Sequence, residues 1–160
     1  MWQVHLTQDM KIVVGSTPVD SIANITGDYV SLKNAHMGWI VCTFTQVEAY
    51  AHTVQPMKAT AVAPVGATAI THDAPNWHNS DISASDTLVR GADATAYQLP
   101  ATANNQLVIF QIDPMQLGDT YDVMGCTIDG SAKWQSNLAD IVYFVEMRYA
   151  QAIPPSIIVD

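Results

Sequence analysis

Basic residues are scarce in this chain. Six Lys and Arg stand against 15 Asp and Glu in 160 residues, for a formal net charge of −9. Lys11, Lys33, Lys58, Arg90, Lys133 and Arg148 are scattered along the sequence. No stripe exists to neutralise a phosphate backbone, so no nucleic acid is expected as a partner. The same scarcity argues against docking on an anionic membrane. Charge of either sign is thin, at 13% of residues, about half the usual share. The surface must therefore be covered by Thr, Ser, Asn, Gln and Ala, or by partner molecules. No apolar run approaches the length that spans a bilayer. Residues Met1–Met10 lack both a basic start and a continuous apolar stretch, so neither a membrane segment nor a secretory signal is expected.

Other shortages narrow the chemistry. Eight glycines leave little material for ligand-cradling loops. The chain has no Gly-x-Ser-x-Gly elbow, no His-Glu-x-x-His and no phosphate loop. Two cysteines, Cys42 and Cys126, lie far apart in apolar segments. They read as buried free thiols, with a disulfide as the alternative, and two cysteines do not make a disulfide scaffold.

What is abundant points to strands. Val and Ile total 29 against seven Leu, with 14 Thr, and 13 Asp stand against two Glu. β-Branched side chains fit a pleated surface and lose freedom in a helix, while Asp favours turns and caps. Short apolar segments bounded by Gly, Pro, Asn or Asp predict strands over 11–14, 28–32, 39–47, 67–71, 94–99, 106–113, 121–127 and 141–147. Leu107–Ile112 and Ile141–Val145 are almost unbroken apolar runs, as expected of central strands buried on both faces. Short helices fit 18–23 and 114–117. The stretch 53–103, rich in Ala, Thr, Asp and Pro, reads as long loops. The expectation is an all-β, single-domain β-sandwich over 1–160, jelly-roll-like or a related barrel, with long loops and extended termini.

The best metal candidate is the segment 71–81, where His72, His78, Asp73 and Asp81 lie close together. Its His-x5-His spacing matches no common zinc pattern and no cysteine accompanies it, so a polar loop is the stronger reading. Asp119 and Asp122 flank Tyr121 and read as a solvated turn more readily than as an acid–base pair. His5, His36 and His52 are isolated in sequence, although a Ser–His or Cys–His pair can assemble in space. The expectation is no enzyme, no cofactor and no required metal. Trp39, Trp77, Trp134, Tyr97 and Tyr121 could form a sugar-stacking platform, although only Trp77 and Trp134 sit in clearly polar surroundings, where a partner contact is the stronger reading.

The two ends carry bare apolar surface. Trp2, Val4 and Leu6 alternate with polar residues in a leader or arm over 1–10. The tail over 152–160 places Ile153, Pro154, Pro155, Ile157, Ile158 and Val159 in a segment that the prolines keep extended. Such ends either pack on their own domain or add strands to a neighbour. With Trp77 they form the candidate assembly interface.

Three segments then carry a resemblance: Gly27-Asp28-Tyr29-Val30-Ser31-Leu32-Lys33-Asn34-Ala35, Asn105-Gln106-Leu107-Val108-Ile109-Phe110-Gln111-Ile112-Asp113, and Arg148-Tyr149-Ala150-Gln151 with the tail Pro154–Asp160. From Lys11 onward the chain resembles the capsid decoration (cement) or auxiliary head proteins of tailed bacteriophages. The leader departs from that pattern. The resemblance implies a virion protein on the capsid exterior, made in the host bacterial cytoplasm. It would bind the major capsid protein and copies of itself, as a homo-oligomer, with no catalytic residues. The rival readings are a head-completion, neck or tail protein, or a carbohydrate-binding β-sandwich module.

Overall fold

The computed structural model describes residues 9–130 and 136–149. Among them lie strands β1 (Met10–Asp20), β2 (Ile25–Thr26), β3 (Val30–Ser31), β4 (Ala35–Thr45), β5 (Thr53–Ala59) and β6 (Thr68–Ala69). They continue as β7 (Asn76–Asn79), β8 (Val89–Arg90), β9 (Tyr97–Gln98), β10 (Asn105–Ile112), β11 (Val123–Ile128) and β12 (Leu138–Met147). Sheet I has the order β1-β12-β4-β10-β7-β8. Sheet II has the order β2-β11-β5-β6, with β3 also on β11 and β9 also on β5. Neither sheet closes on itself. The fold is an all-antiparallel β-sandwich, and the barrel alternative does not hold. No helix among the described residues is long and apolar enough to cross a membrane.

Alternation builds the core. On β4 the side chains of Ile40, Cys42 and Phe44 point inward, as do Val108, Phe110 and Ile112 on β10 and Ile141, Tyr143 and Val145 on β12; all are buried. Val54 on β5 and Met124, Cys126 and Ile128 on β11 meet them in one cluster. The central ladders hold this register without a slip from Asn105↔Thr45 to Ile112↔Gly38. A one-residue shift would turn every one of these side chains outward.

Several expectations need correction. Leu107–Ile112 and Ile141–Val145 are buried on one face, because sheet II covers only one side of sheet I; Leu107, Ile109, Val142 and Phe144 stay half-exposed. The segment 53–103 is not merely loops. It contains β5 to β9; β6 and β9 fall within the strands expected over 67–71 and 94–99, whereas β5, a full partner of β11 over Val54–Ala59, was not expected. Pro56 hid it, yet proline is tolerated there because the flanking short strands β9 and β6 pair on either side of it. No helix forms over 18–23. β1 runs on to Asp20 through bulges after Val14 and Ser16, and an edge strand accommodates Pro18. The helical turn at Pro114–Leu117 is as expected, with proline in its first turn and a capping box between Asp113 and Gln116.

Tyr143 sets the spacing at the β1 end of the core. Its ring lies against Gly15 in the β1 bulge, and its hydroxyl against Gly27. A Cβ at either glycine would collide with the ring or hydroxyl. Among the described residues the buried Tyr143 hydroxyl has no hydrogen-bond partner. Gly15→Ala is expected to lower stability by about 1–3 kcal/mol through overpacking. Tyr143→Phe, by removing an unmatched hydroxyl, should be neutral or stabilising by up to about 1 kcal/mol. Urea midpoints at unchanged slope would check both.

Candidate functional site

The outer face of sheet I holds the largest constellation left unused by the core. Cross-strand pairing aligns Val14, Val142, Val41, Ile109 and Trp77 in one row, from β1 through β12, β4 and β10 to β7. A second row aligns Ile12, Phe144, Trp39 and Gln111. Ile12 is 45% and Val14 54% exposed, and the other apolar members are half-exposed. An antiparallel sheet that faces water ordinarily alternates apolar-in and polar-out. Here both positions of the alternation are apolar over four strands.

Charge is confined to the rim of this face. Asp140 accepts a hydrogen bond from Thr43 Oγ1, and Glu146 pairs with Met37 at the end of β4. The Arg90 guanidinium lies 4.9 Å from the Trp77 ring centre. That contact uses the indole face which a sugar-stacking platform would need open. Trp77 therefore sits on the apolar face as its capped edge, beside Ile109. Trp2, Val4, Leu6, Ile153, Pro154, Pro155, Ile157, Ile158 and Val159 lie outside the described residues, as do His5 and Trp134. Sequence reasoning missed Ile12, Val14, Val41, Ile109, Val142 and Phe144 as surface residues, and named Trp39 only for a sugar-stacking platform. The usable signal was the lack of polar alternation in the two apolar runs.

The structure does assemble a Ser–His–Asp set that the sequence could not place. His52 Nδ1 donates to the Asp129 carbonyl at 2.8 Å and Nε2 lies 3.2 Å from Ser21 Oγ. The Asp129 carboxylate stands 3.7 Å from Nδ1 and accepts from the Thr53 amide. Ser21 and His52 have no exposed surface, and the imidazole is enclosed by Phe44 and Tyr50. A nucleophile needs substrate contact and nearby oxyanion donors. This arrangement is a polar staple that ties the β1–β2 turn and the start of β5 to the end of β11.

The histidine-rich segment does not converge. His72 is exposed and its Nδ1 donates to the Gln116 carbonyl at 3.1 Å. His78 stacks on Tyr97 at 4.6 Å, and burial lowers its pKa. No group of three potential metal-ligating side chains occurs among the described residues. Asp119, Tyr121 and Asp122 line a shallow hollow of about 280 Å³ with Pro114 and Met115. Above it Lys58 Nζ donates to the Leu117 carbonyl at 3.0 Å and lies over the Tyr121 ring, satisfying the end of the helical turn.

The fold defines this chain as an antiparallel β-sandwich with an apolar outer face. No family model matches the chain, and no curated protein matches it. Among solved structures it is similar to the prophage-derived protein YomS of SPBc2, at 6% identity and a TM-score of 0.48. That overlap covers 86% of this chain and 92% of the other. A likeness of this kind says nothing of shared function.

Two buried groups give direct tests. Cys42 and Cys126 are free, fully buried and face each other across the sandwich with Sγ atoms 3.9 Å apart. Their mutual hydrogen bond, and then burial, push the Cys42 thiol well above its usual range. Thiol titration without reductant should find both unreactive in the native protein and both reactive in denaturant.

Lys11 points inward beside Val145, is 7% exposed, and its ammonium has no partner among the described residues. Desolvation lowers its pKa to about 8. The folded state thus releases this proton before the unfolded state does, so stability should rise between pH 8 and 10.5. Tyr29, Tyr97 and Tyr143, raised by burial, act oppositely and should lower stability above about pH 10. Lys11→Met should remove the rise and stabilise the protein at pH 7 by about 1–2 kcal/mol, read from denaturant midpoints at pH 7 and 9.

Proposed function

We propose that this chain is a structural protein of a tailed-bacteriophage particle. Its role is that of a decoration (cement) protein that binds the outer surface of the head and bridges neighbouring copies of the major capsid protein. The observation that carries an assembly role, with copies of itself or with the shell, is the outer face of sheet I, where apolar side chains replace the polar ones a solvated sheet would show. The three segments resembling auxiliary head proteins supply the phage assignment. Two of them fall on β3 with its flanks and on β10, one of the strands of that face.

The role needs no catalysis. A protein that binds the assembled shell and not its free subunits stabilises the shell by mass action. The net charge of −9 is tolerable on the outside of a particle and unfavourable against packaged DNA. In this reading the terminal segments, with Trp2, Val4 and Leu6 at one end and Ile153, Ile157, Ile158 and Val159 at the other, reach the shell by strand addition.

Quantitative mass spectrometry of purified particles tests the assignment. Hundreds of copies per particle are expected for decoration, whereas about six or twelve would mark a neck ring, and absence from particles would end the virion reading. Deleting Ser156–Asp160 should leave a folded protein with native strand content but reduce its occupancy on heads severely. Undiminished occupancy would take the shell contact away from the tail.

A further inference from the structure

The apolar outer face of sheet I needs a cover, and its dimensions restrict what the cover is. The face spans five adjacent strands, from Ile12 and Val14 on β1 to Trp77 on β7. At about 4.8 Å between strands and about 3.4 Å per residue, the two apolar rows measure roughly 20 by 10 Å, and the rim rows of Asp140 and Glu146 bring the face to roughly 20 by 20 Å. A second sheet of equal width covers it from edge to edge.

We infer that this face is the self-association surface of the protein. A second copy stacks its own Val14-Val142-Val41-Ile109 row and its Phe144 and Trp39 against the first, as a two-fold dimer. This deepens the contact reading above by naming the partner, and it does not depend on the phage assignment. The chemistry is that of the sandwich interior repeated once more, with apolar sheet faces packed about 10 Å apart. A two-fold contact needs a surface that is its own complement. A charge-free centre qualifies, because stacking it on itself opposes no like charges. Asp140, Glu146 and Arg90 lie toward its margins, where an interface keeps its polar groups. Two such faces together bury roughly 1,000 Å² once side-chain relief is counted, the area a specific interface requires.

Light scattering coupled to size exclusion, on the full chain, reads the mass directly. The expected result is twice the 17.4 kDa chain mass. Val41→Glu and Val142→Glu, at paired positions in the centre of the face, should each weaken the dimer at least a hundredfold and yield monomer with an unchanged circular dichroism spectrum. Val65→Glu, 62% exposed outside sheet I, should remain a dimer.

A full chain that stays monomeric at its highest soluble concentration overturns the proposal, as do folded glutamate variants that remain dimeric. If those variants fail to fold, carbene footprinting of the unsubstituted chain decides. Phe144 and Trp39 must become protected as concentration rises, and labelling independent of concentration overturns the proposal. Deleting 152–160 should preserve the dimer, whereas a monomer on that deletion would give the face to the tail. Failure here is separable from failure of the virion reading. A monomer that still occupies heads sinks only the dimer, and a dimer absent from particles sinks only the virion role.

Discussion

The stacking of β4, β10 and β12 onto β5 and β11 is the contact on which the rest of the structure depends. Ile40, Phe110, Ile141 and Tyr143 have essentially no exposed surface, and neither do Val54, Met124 and Ile128 opposite them. Each large apolar side chain buried this way contributes about 1.5–3 kcal/mol before ordering costs. The glycines at 15 and 27 exist for this contact, since Tyr143 fills the space their side chains would take. Cys42 and Cys126 meet across the same seam with their Sγ atoms 3.9 Å apart. Paired small side chains let the sheets approach there without a void, which a close-packed interior requires.

Burial decides the chemistry as firmly as it decides stability. Ser21, His52 and Asp129 have the residue types and nearly the spacing of a hydrolytic triad. With Ser21 and His52 sealed from solvent, the same hydrogen bonds serve to satisfy polar groups that folding has buried. Lys58 follows the same rule, since its ammonium is spent on the Leu117 carbonyl and Thr71 hydroxyl. Asn137 does likewise, accepting from the amides of Val47 and Glu48 and donating to the Glu48 carbonyl. Lys11, like the Tyr143 hydroxyl, departs from this rule among the described residues, and its lowered pKa is the expected cost of desolvation without a partner.

Much of this fold was legible in the sequence because its long strands obey simple patterning. β4, β10, β11, β12 and the first part of β1 overlap predicted apolar segments, and the Asp-Pro-x-Gln sequence at 113–116 encodes its own capped turn. The short strands were illegible for a physical reason. β2, β7 and β8 are two to four residues long and polar or mixed, so partners across the ladder fix them, not intrinsic preference. β5 was masked by Pro56, whose tolerance depends on neighbours distant in sequence. The candidate surface was legible in one respect only. The runs 107–112 and 141–145 show that both faces of these strands are apolar, but sequence alone assigns the second face to the interior.

That second face poses a problem that composition cannot solve by itself. A chain with 13% charged residues has little with which to guard an apolar sheet, and on this face the charge stays at the rim. The free edge at β1 is guarded by geometry instead. Bulges after Val14 and Ser16 distort the ladder, Pro18 withholds a donor, and the Asp28 amide occupies the Gly15 carbonyl. These are the usual defences against uncontrolled strand addition. Guarding the edge while leaving the face apolar separates two modes of association. Pairing along an edge has no natural end and builds filaments, whereas stacking two faces about a two-fold axis closes after one partner. If the proposed dimer forms, the arrangement of bulges, proline and apolar rows would favour its closure, and the net charge of −9 would keep the closed units apart.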